Sequence, residues 1–254
     1  MRRVVVTGMG MLAPFGRGVD YNWENIVAGK SAIRRIDEDL ELYDVPVKIA
    51  GKVPMGKEAH RFDPDTVMEP KEQRRVDKFI LFGMAAGIDA MEDSGWKPES
   101  EEEQYRAGVM MGSGIGGLQT IYENSVIINE NKSTHRVSPF FIPSCLINMI
   151  SGNLSIRFGL KGPNHACVTA CSTGTHAIGD AAAMIVRGDA DLMLAGGAES
   201  AVNILGLAGF ARMKAVTADF NDCPEKASRP WDKARSGFCL LYTSDAADEA
   251  RSVD

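Results

Sequence analysis

Residues 165–188 read "HACVTACSTGTHAIGDAAAMIVRG", and the fold turns on how they are divided. The first six, apolar and partly β-branched, predict a strand. From Ser172 the residues are small and helix-compatible until Gly188, a residue suited to ending a helix in the left-handed conformation. Cys171 therefore falls at a strand-to-helix junction. The same alternation recurs along the chain. "RRVVVTGMG" predicts a buried strand leading into a loop, "RAGVMMGSGIGG" a strand feeding a glycine-rich loop, and "ADLMLAGGAES" another strand. Between them, "YNWENIVAG", "KEQRRVDKFILFGMAAGIDAMEDSG" and "GLQTIYENSVIIN" carry apolar residues at helical spacing. The second reads as one long amphipathic helix ended by Gly95. "SPFFIPSCLINMISGNLSIRFGL" is apolar, broken by Pro139 and Pro143, and predicts a buried helix at a domain or subunit contact. Strands alternating with helices predict an α/β fold with a mixed, largely parallel sheet and buried and flanking helices.

Composition narrows the function classes. With 254 residues the chain can bury a sizeable core. A net charge of −6 argues against a general polyanion binder such as a nucleic-acid protein, although a local basic patch remains compatible with it. No apolar run is long enough to span a membrane and no signal-peptide core follows "MRRVVVTGMG", so the expected location is the cytoplasm. The five cysteines, Cys145, Cys167, Cys171, Cys223 and Cys239, lack metal-ligand spacing and read as free thiols. His60, His135, His165 and His176 show no ligand spacing either. His176, five residues past Cys171, is expected to point away from it.

Two segments imitate a dinucleotide fingerprint. Gly8, Gly10 and Ala13 follow one predicted strand, and Gly112, Gly114 and Gly117 follow another. A nucleotide-binding oxidoreductase would use such glycines to bring a pyrophosphate to a helix N-terminus. Pro14 and Phe15 interrupt the first candidate helix, and close backbone packing is the alternative use of all six positions.

Cys171 itself has two readings. It is a small core thiol, or it is a nucleophile whose thiolate is favoured by the unpaired N–H groups of a helix N-terminus. The small neighbours Ala170, Ser172 and Gly174 permit a sharp turn and close substrate approach, and Gly174, Ala177, Gly179 and Ala181–Ala183 would let the helix lie deep between sheets. That arrangement is similar to a nucleophile elbow with cysteine in place of serine.

At these residues the chain resembles the elongating type II β-ketoacyl-[acyl-carrier-protein] synthases, condensing enzymes of the thiolase fold. The stretches that carry the resemblance are "RRVVVTGMGMLAPFG", "KEQRRVDKFI", "GVMMGSGIGGL", "SPFFIPSCLINMISGNLSIRFGLKGPNHACVTACSTGTHAIGDA", "GDADLMLAGGAES" and "ASRPWDK", in the family's order. The resemblance implies that Cys171 takes an acyl chain from acyl carrier protein as a thioester, which a malonyl-derived carbanion then extends by two carbons. It implies acyl-pocket roles for Met111 and Phe210, and contacts to the acidic carrier protein for Lys71, Arg74 and Lys214. It implies a homodimer at full length and no cofactor or metal. A non-catalytic partner subunit of a condensing pair is the alternative within the same fold, and the retained Cys171 counts against it.

The family's catalytic histidines, its lysine and a second oxyanion donor belong to a C-terminal half that these residues do not include. The reading is therefore an N-terminal half-fold over residues 1–238, expected not to condense by itself and to expose an apolar face. Residues 239–254, "CLLYTSDAADEARSVD", resemble a translated sequencing adapter and are set apart as a non-native tail.

Overall fold

The computed structural model describes residues 2–36, 40 and 43–249. Strand β1 (Val6–Ala13) turns back into β2 (Gly16–Arg17), and helix α1 (Val19–Val27) follows, stopped where Gly29 takes φ +67°. A short antiparallel ribbon, β3 (Arg34–Arg35) with β4 (Ile49–Ala50), precedes helices α2 (Pro70–Gln73) and α3 (Lys78–Ser94). Then come α4 (Glu101–Arg106), β5 (Ala107–Gly112), α5 (Leu118–Asn131), α6 (Phe141–Cys145), α7 (Met149–Phe158) and β6 (Asn164–His165). The chain continues through α8 (Thr173–Arg187), β7 (Leu192–Glu199), α9 (Ile204–Arg212) and β8 (Thr243–Glu249).

Six strands form one mixed sheet in the order β2-β1-β8-β7-β5-β6. Strands β7, β5 and β6 pair in parallel, while β8 runs antiparallel to both β7 and β1. Four strands, β1, β5, β6 and β7, thus point the same way, as the strand–helix alternation predicts. Every residue of β5 is buried, because the sheet is covered on both faces and its strands carry continuous apolar runs. Successive side chains alternate between two cores. Val109, Met111, Leu192 and Leu194 face the larger one, with α3 and α7; Met110, Met193 and Ala195 face a smaller one with Ala177, Ala181 and Ile185 of α8.

Two elements differ from the sequence expectation, each for a physical reason. The helix expected over 71–95 is broken after Gln73, because Asp77 serves as the N-cap of α3. One of its oxygens accepts the Phe79 N–H at 3.3 Å, and the other accepts the Thr120 N–H and hydroxyl at 3.2 and 2.7 Å. Helix α3 is also not amphipathic: twelve of its seventeen residues are buried, between the sheet on one side and α7 on another. Strand β1 runs through its glycines instead of ending at them. There α3 crosses so closely that a Cβ on Gly8 would sit 2.3 Å from the Ala90 carbonyl oxygen, and one on Gly10 2.0 Å from that of Ala86. Helix α8 covers one face of the sheet and buries a single stripe against it, Thr173, Ala177, Ala181 and Ile185.

Two further segments need comment. Of "HACVTA" only His165, with Asn164, pairs as strand; the rest leaves the sheet toward α8. Residues 243–249, inside the segment set apart as a tail, occupy the slot between β1 and β7 as β8. Their backbone satisfies two strand edges that would otherwise be open.

The close crossing of β1 and α3 gives a stability test. Gly10→Ala drives a Cβ into main-chain atoms and is expected to cost about 1–3 kcal/mol in urea unfolding. Gly179→Ala in α8, where a Cβ meets nothing within 4 Å, is expected to be neutral or stabilising by up to about 1 kcal/mol. Equal effects at the two positions would contradict the packing described.

Candidate active site

After β6 the backbone turns sharply. Ala170 takes φ +54°, in the left-handed region that costs a non-glycine residue about 1–2 kcal/mol. Cys171 follows within the 3-10 turn Ala170–Ser172, and α8 starts at Thr173. The buried Thr173 side chain holds this turn: its hydroxyl accepts the Thr169 N–H at 2.9 Å and donates to the Ala170 carbonyl at 2.8 Å. The Cys167 thiol donates to the Thr173 carbonyl at 3.3 Å. The side chain left outside by this arrangement is Cys171, which is exposed while the other four cysteines are partly buried.

The glycines of the loop after β5 make room for the turn. A Cβ on Gly112 would meet the Cys167 carbonyl oxygen and Thr173 Cγ2, both at 2.4 Å; one on Gly114 would meet the Ala170 carbonyl oxygen and Glu199 Oε2, both at 3.1 Å. The space a pyrophosphate would need over these glycines is filled by protein. The first glycine set lies within β1 and leads into β2, not into a helix. Close packing is therefore the use to which both sets are put.

Cys171 opens onto a pocket of about 480 Å³ whose walls include Ile115, Ala198, Phe210, Phe238 and Leu240. Phe210 and Phe238 meet edge to face, ring centroids 5.4 Å apart. Glu199, at the end of β7, is the one carboxylate among the described lining residues. Burial pushes its carboxyl above the usual carboxylate range, and hydrogen bonds from Ser200, Ile115, Ser113 and Gly114 offset this only in part. A larger cavity, about 590 Å³, lies between Pro14, Phe15, Arg34 and Lys52, but its lining among the described residues includes no cysteine, serine or histidine. The chemistry points to Cys171.

Of the residues singled out from sequence, Cys171 and Phe210 come together on this pocket. Met111 does not line it. That residue is fully buried one position behind the wall formed by Gly112, with its N–H donated to Ser151 Oγ at 2.8 Å. Lys71, Arg74 and Lys214 are all exposed, and none forms an ion pair among the described residues. His176 lies beside the turn with Nδ1 2.7 Å from Thr169 Oγ1, not from Cys171. His60 stacks on Tyr21 at 3.8 Å. Sequence reasoning missed Thr173 and Glu199. A threonine two residues after the cysteine, and an acidic residue closing the apolar run "LMLAGGAE", were the available signals.

Exposure orders the thiols. Burial raises the thiol pKa of Cys145, Cys167 and Cys239, which lowers their thiolate fraction near neutrality. Limiting iodoacetamide followed by peptide mapping is expected to label Cys171 well ahead of these three. Labelling spread evenly over the cysteines would contradict the geometry.

Residues 1–240 match the family model described as "Beta-ketoacyl synthase, N-terminal domain". The 3-oxoacyl-[acyl-carrier-protein] synthase 2 of Rhizobium meliloti (strain 1021) is 52% identical over 241 residues, covering 94% of this chain and 57% of that protein. The mitochondrial 3-oxoacyl-[acyl-carrier-protein] synthase of Arabidopsis thaliana is 44% identical over 252 residues, 94% of this chain and 54% of that one. Among solved structures, a beta-ketoacyl synthase from Burkholderia phymatum STM815 superposes with a TM-score of 0.85 at 26% identity, over 99% of this chain and 59% of its own. A type II PKS ketosynthase, solved with its acyl-carrier protein, shares the fold at 24% identity and a TM-score of 0.81, over 98% and 58%. The chain spans somewhat more than half the length of the relatives it matches. With its sheet, its elbow and the match over residues 1–240, the chain belongs to the beta-ketoacyl synthase family, as that family's N-terminal domain.

Proposed function

We propose that Cys171 accepts a fatty acyl group from an acyl carrier protein, as the first half of a chain-elongating condensation. The observation that carries this is an exposed thiol at the start of α8, opening onto a pocket walled largely by apolar side chains and two edge-to-face phenylalanines. The Cys171 thiolate attacks the carbonyl carbon of the incoming thioester. The tetrahedral intermediate then expels the carrier's thiolate, which takes up a proton, and the acyl chain remains on Sγ. The apolar pocket shelters the alkyl chain, and burial of each methylene favours longer chains by about 0.8 kcal/mol. In the second half-reaction the malonyl group of another carrier loses CO₂, its carbanion attacks the Cys171 thioester carbonyl, and the tetrahedral intermediate expels the Cys171 thiolate, leaving the lengthened β-ketoacyl chain on that carrier. Phe210 is a pocket wall on this reading. Met111, buried in the main core behind Gly112, is not a wall of this pocket.

Lys71, Arg74 and Lys214 fit a docking surface for the acidic carrier, since exposed cations steer an oppositely charged partner even on a chain of net charge −6. No helix among the described residues is long and apolar enough to cross a membrane. A cytoplasmic site of action and a homodimeric whole enzyme complete the proposal. The family match ends at residue 240, so it lends support to the reading of a tail foreign to the family only from residue 241 onward.

The test is transfer from acyl-carrier protein, followed as a mass gain on the Cys171 peptide. Acylation is expected in the 254-residue chain and its loss in Cys171→Ala. Acylation at another residue, or undiminished acylation of Cys171→Ala, would overturn the proposal. No histidine, lysine or arginine lies among the described pocket residues to polarise a malonyl thioester, so malonyl-dependent CO₂ release is not expected from these residues. Reversing two charges, Lys71→Glu with Arg74→Glu, is expected to slow transfer from the carrier about tenfold at low salt. Transfer from a small acyl thioester should be unchanged, and the difference should fade near about 1 M salt. Equal slowing with both donors would remove these residues from the docking surface.

A further inference from the structure

We propose that Glu199 is a positioning residue that clamps the loop Ser113–Gly117 against the Cys171 turn and so sets which acyl chains the pocket admits. The proposal rests on Cys171 being the acyl acceptor. Each Glu199 oxygen has its own main-chain donor: Oε2 accepts the Ile115 N–H at 2.9 Å, and Oε1 accepts the Ser200 N–H at 3.1 Å. The Ser113 hydroxyl and the Gly114 N–H also face the carboxylate. Ser113, 1% exposed, in turn accepts the Gly116 N–H at 3.1 Å, closing the loop on itself.

The loop is thereby held from both sides. Gly114 lies between Glu199 Oε2 and the carbonyl oxygen of Ala170, the residue just before the nucleophile, at distances that leave a Cβ only 3.1 Å from each. Ile115, whose N–H Glu199 holds, is itself a wall of the pocket. Moving the carboxylate therefore moves a pocket wall and loosens the support under Ala170, whose φ of +54° depends on its surroundings. The need is for two acceptors at once. An ionised carboxylate supplies them, whereas a glutamine must turn its NH₂ toward one of the two N–H groups. Glu199 touches no reacting atom on this account and acts through the loop. The titratable groups among the described residues of the pocket are Glu199, Cys171 and Cys239. Burial favours the protonated form of Glu199, so the clamp should loosen at mildly acid pH.

The experiment compares two reagents of one reactive type, N-dodecylmaleimide and N-ethylmaleimide, on the 254-residue chain. Modification of Cys171 is quantified by peptide mapping with Cys223 as the internal reference. The ratio of the two rates cancels the thiolate fraction and reads only how the pocket receives the long chain. In the parent protein the ratio at Cys171 is expected to exceed that at Cys223, and to fall as pH is lowered and Glu199, whose carboxyl burial pushes up, takes up a proton. In Glu199→Gln it is expected to be about tenfold lower and flat with pH. A parent ratio no higher at Cys171 than at Cys223 would overturn the acyl-acceptor reading, and this proposal with it. A clear parent preference that survives unchanged in Glu199→Gln would overturn the role of Glu199 alone. Should Glu199→Gln lack a cooperative melt, Ser113→Ala decides. A reduced ratio there supports the clamp, and an unchanged ratio overturns it.

Discussion

Backbone-to-backbone contact without intervening side chains is the constraint on which this structure depends. It occurs twice. Strand β1 presses Gly8 and Gly10 onto the carbonyls of α3, and the loop after β5 presses Gly112 and Gly114 onto residues 167–170. The first contact brings a helix buried over most of its surface down onto the sheet. The second leaves no space beneath the turn at Ala170, so Cys171 is directed outward into the pocket. Glycine is required at such positions for the room it leaves, a role separate from its conformational freedom.

Around that contact the turn is secured by short polar links. Thr173 satisfies one donor and one acceptor of the segment Thr169–Ala170, and Ser151 Oγ donates to the His165 carbonyl at 2.7 Å where β6 gives way to the turn. At the opposite end of the parallel strands, Arg106 grips Asp191 with two bonds, at 2.9 and 2.7 Å. With help from Arg2 it lowers that carboxyl to about 2. Polar side chains thus hold both ends of an apolar sheet, and the end nearest α8 carries the exposed thiol.

Much of this was legible in the sequence. Strands β5 and β7 stood out because a sheet covered on both faces demands continuous apolar runs, which "AGVMMG" and "LMLAGGAE" supply. Cys171 stood out because its small neighbours had no other evident use. The rest depends on partners remote in sequence. The break before α3 follows from Asp77 accepting two bonds from Thr120, forty-three residues away. The passage of β1 through its glycines follows from the position of α3, and glycine by itself argues against strand. Glu199 was passed over because a carboxylate is ordinarily a surface group, and only the fold brings Ile115 to it. The resemblance implies a pocket role for Met111, yet the pleat turns its side chain into the main core while Gly112 forms the wall.

The central claim is that packing around the glycine loop presents Cys171 to an alkyl chain lodged in the adjoining pocket. A crystal structure of the protein carrying a long acyl or alkyl group on Cys171 Sγ tests it most directly. The account predicts electron density for the chain running between Ile115 and Phe210, with the Ala170 turn unchanged. A chain directed into solvent, or a turn rebuilt to admit it, would contradict the account.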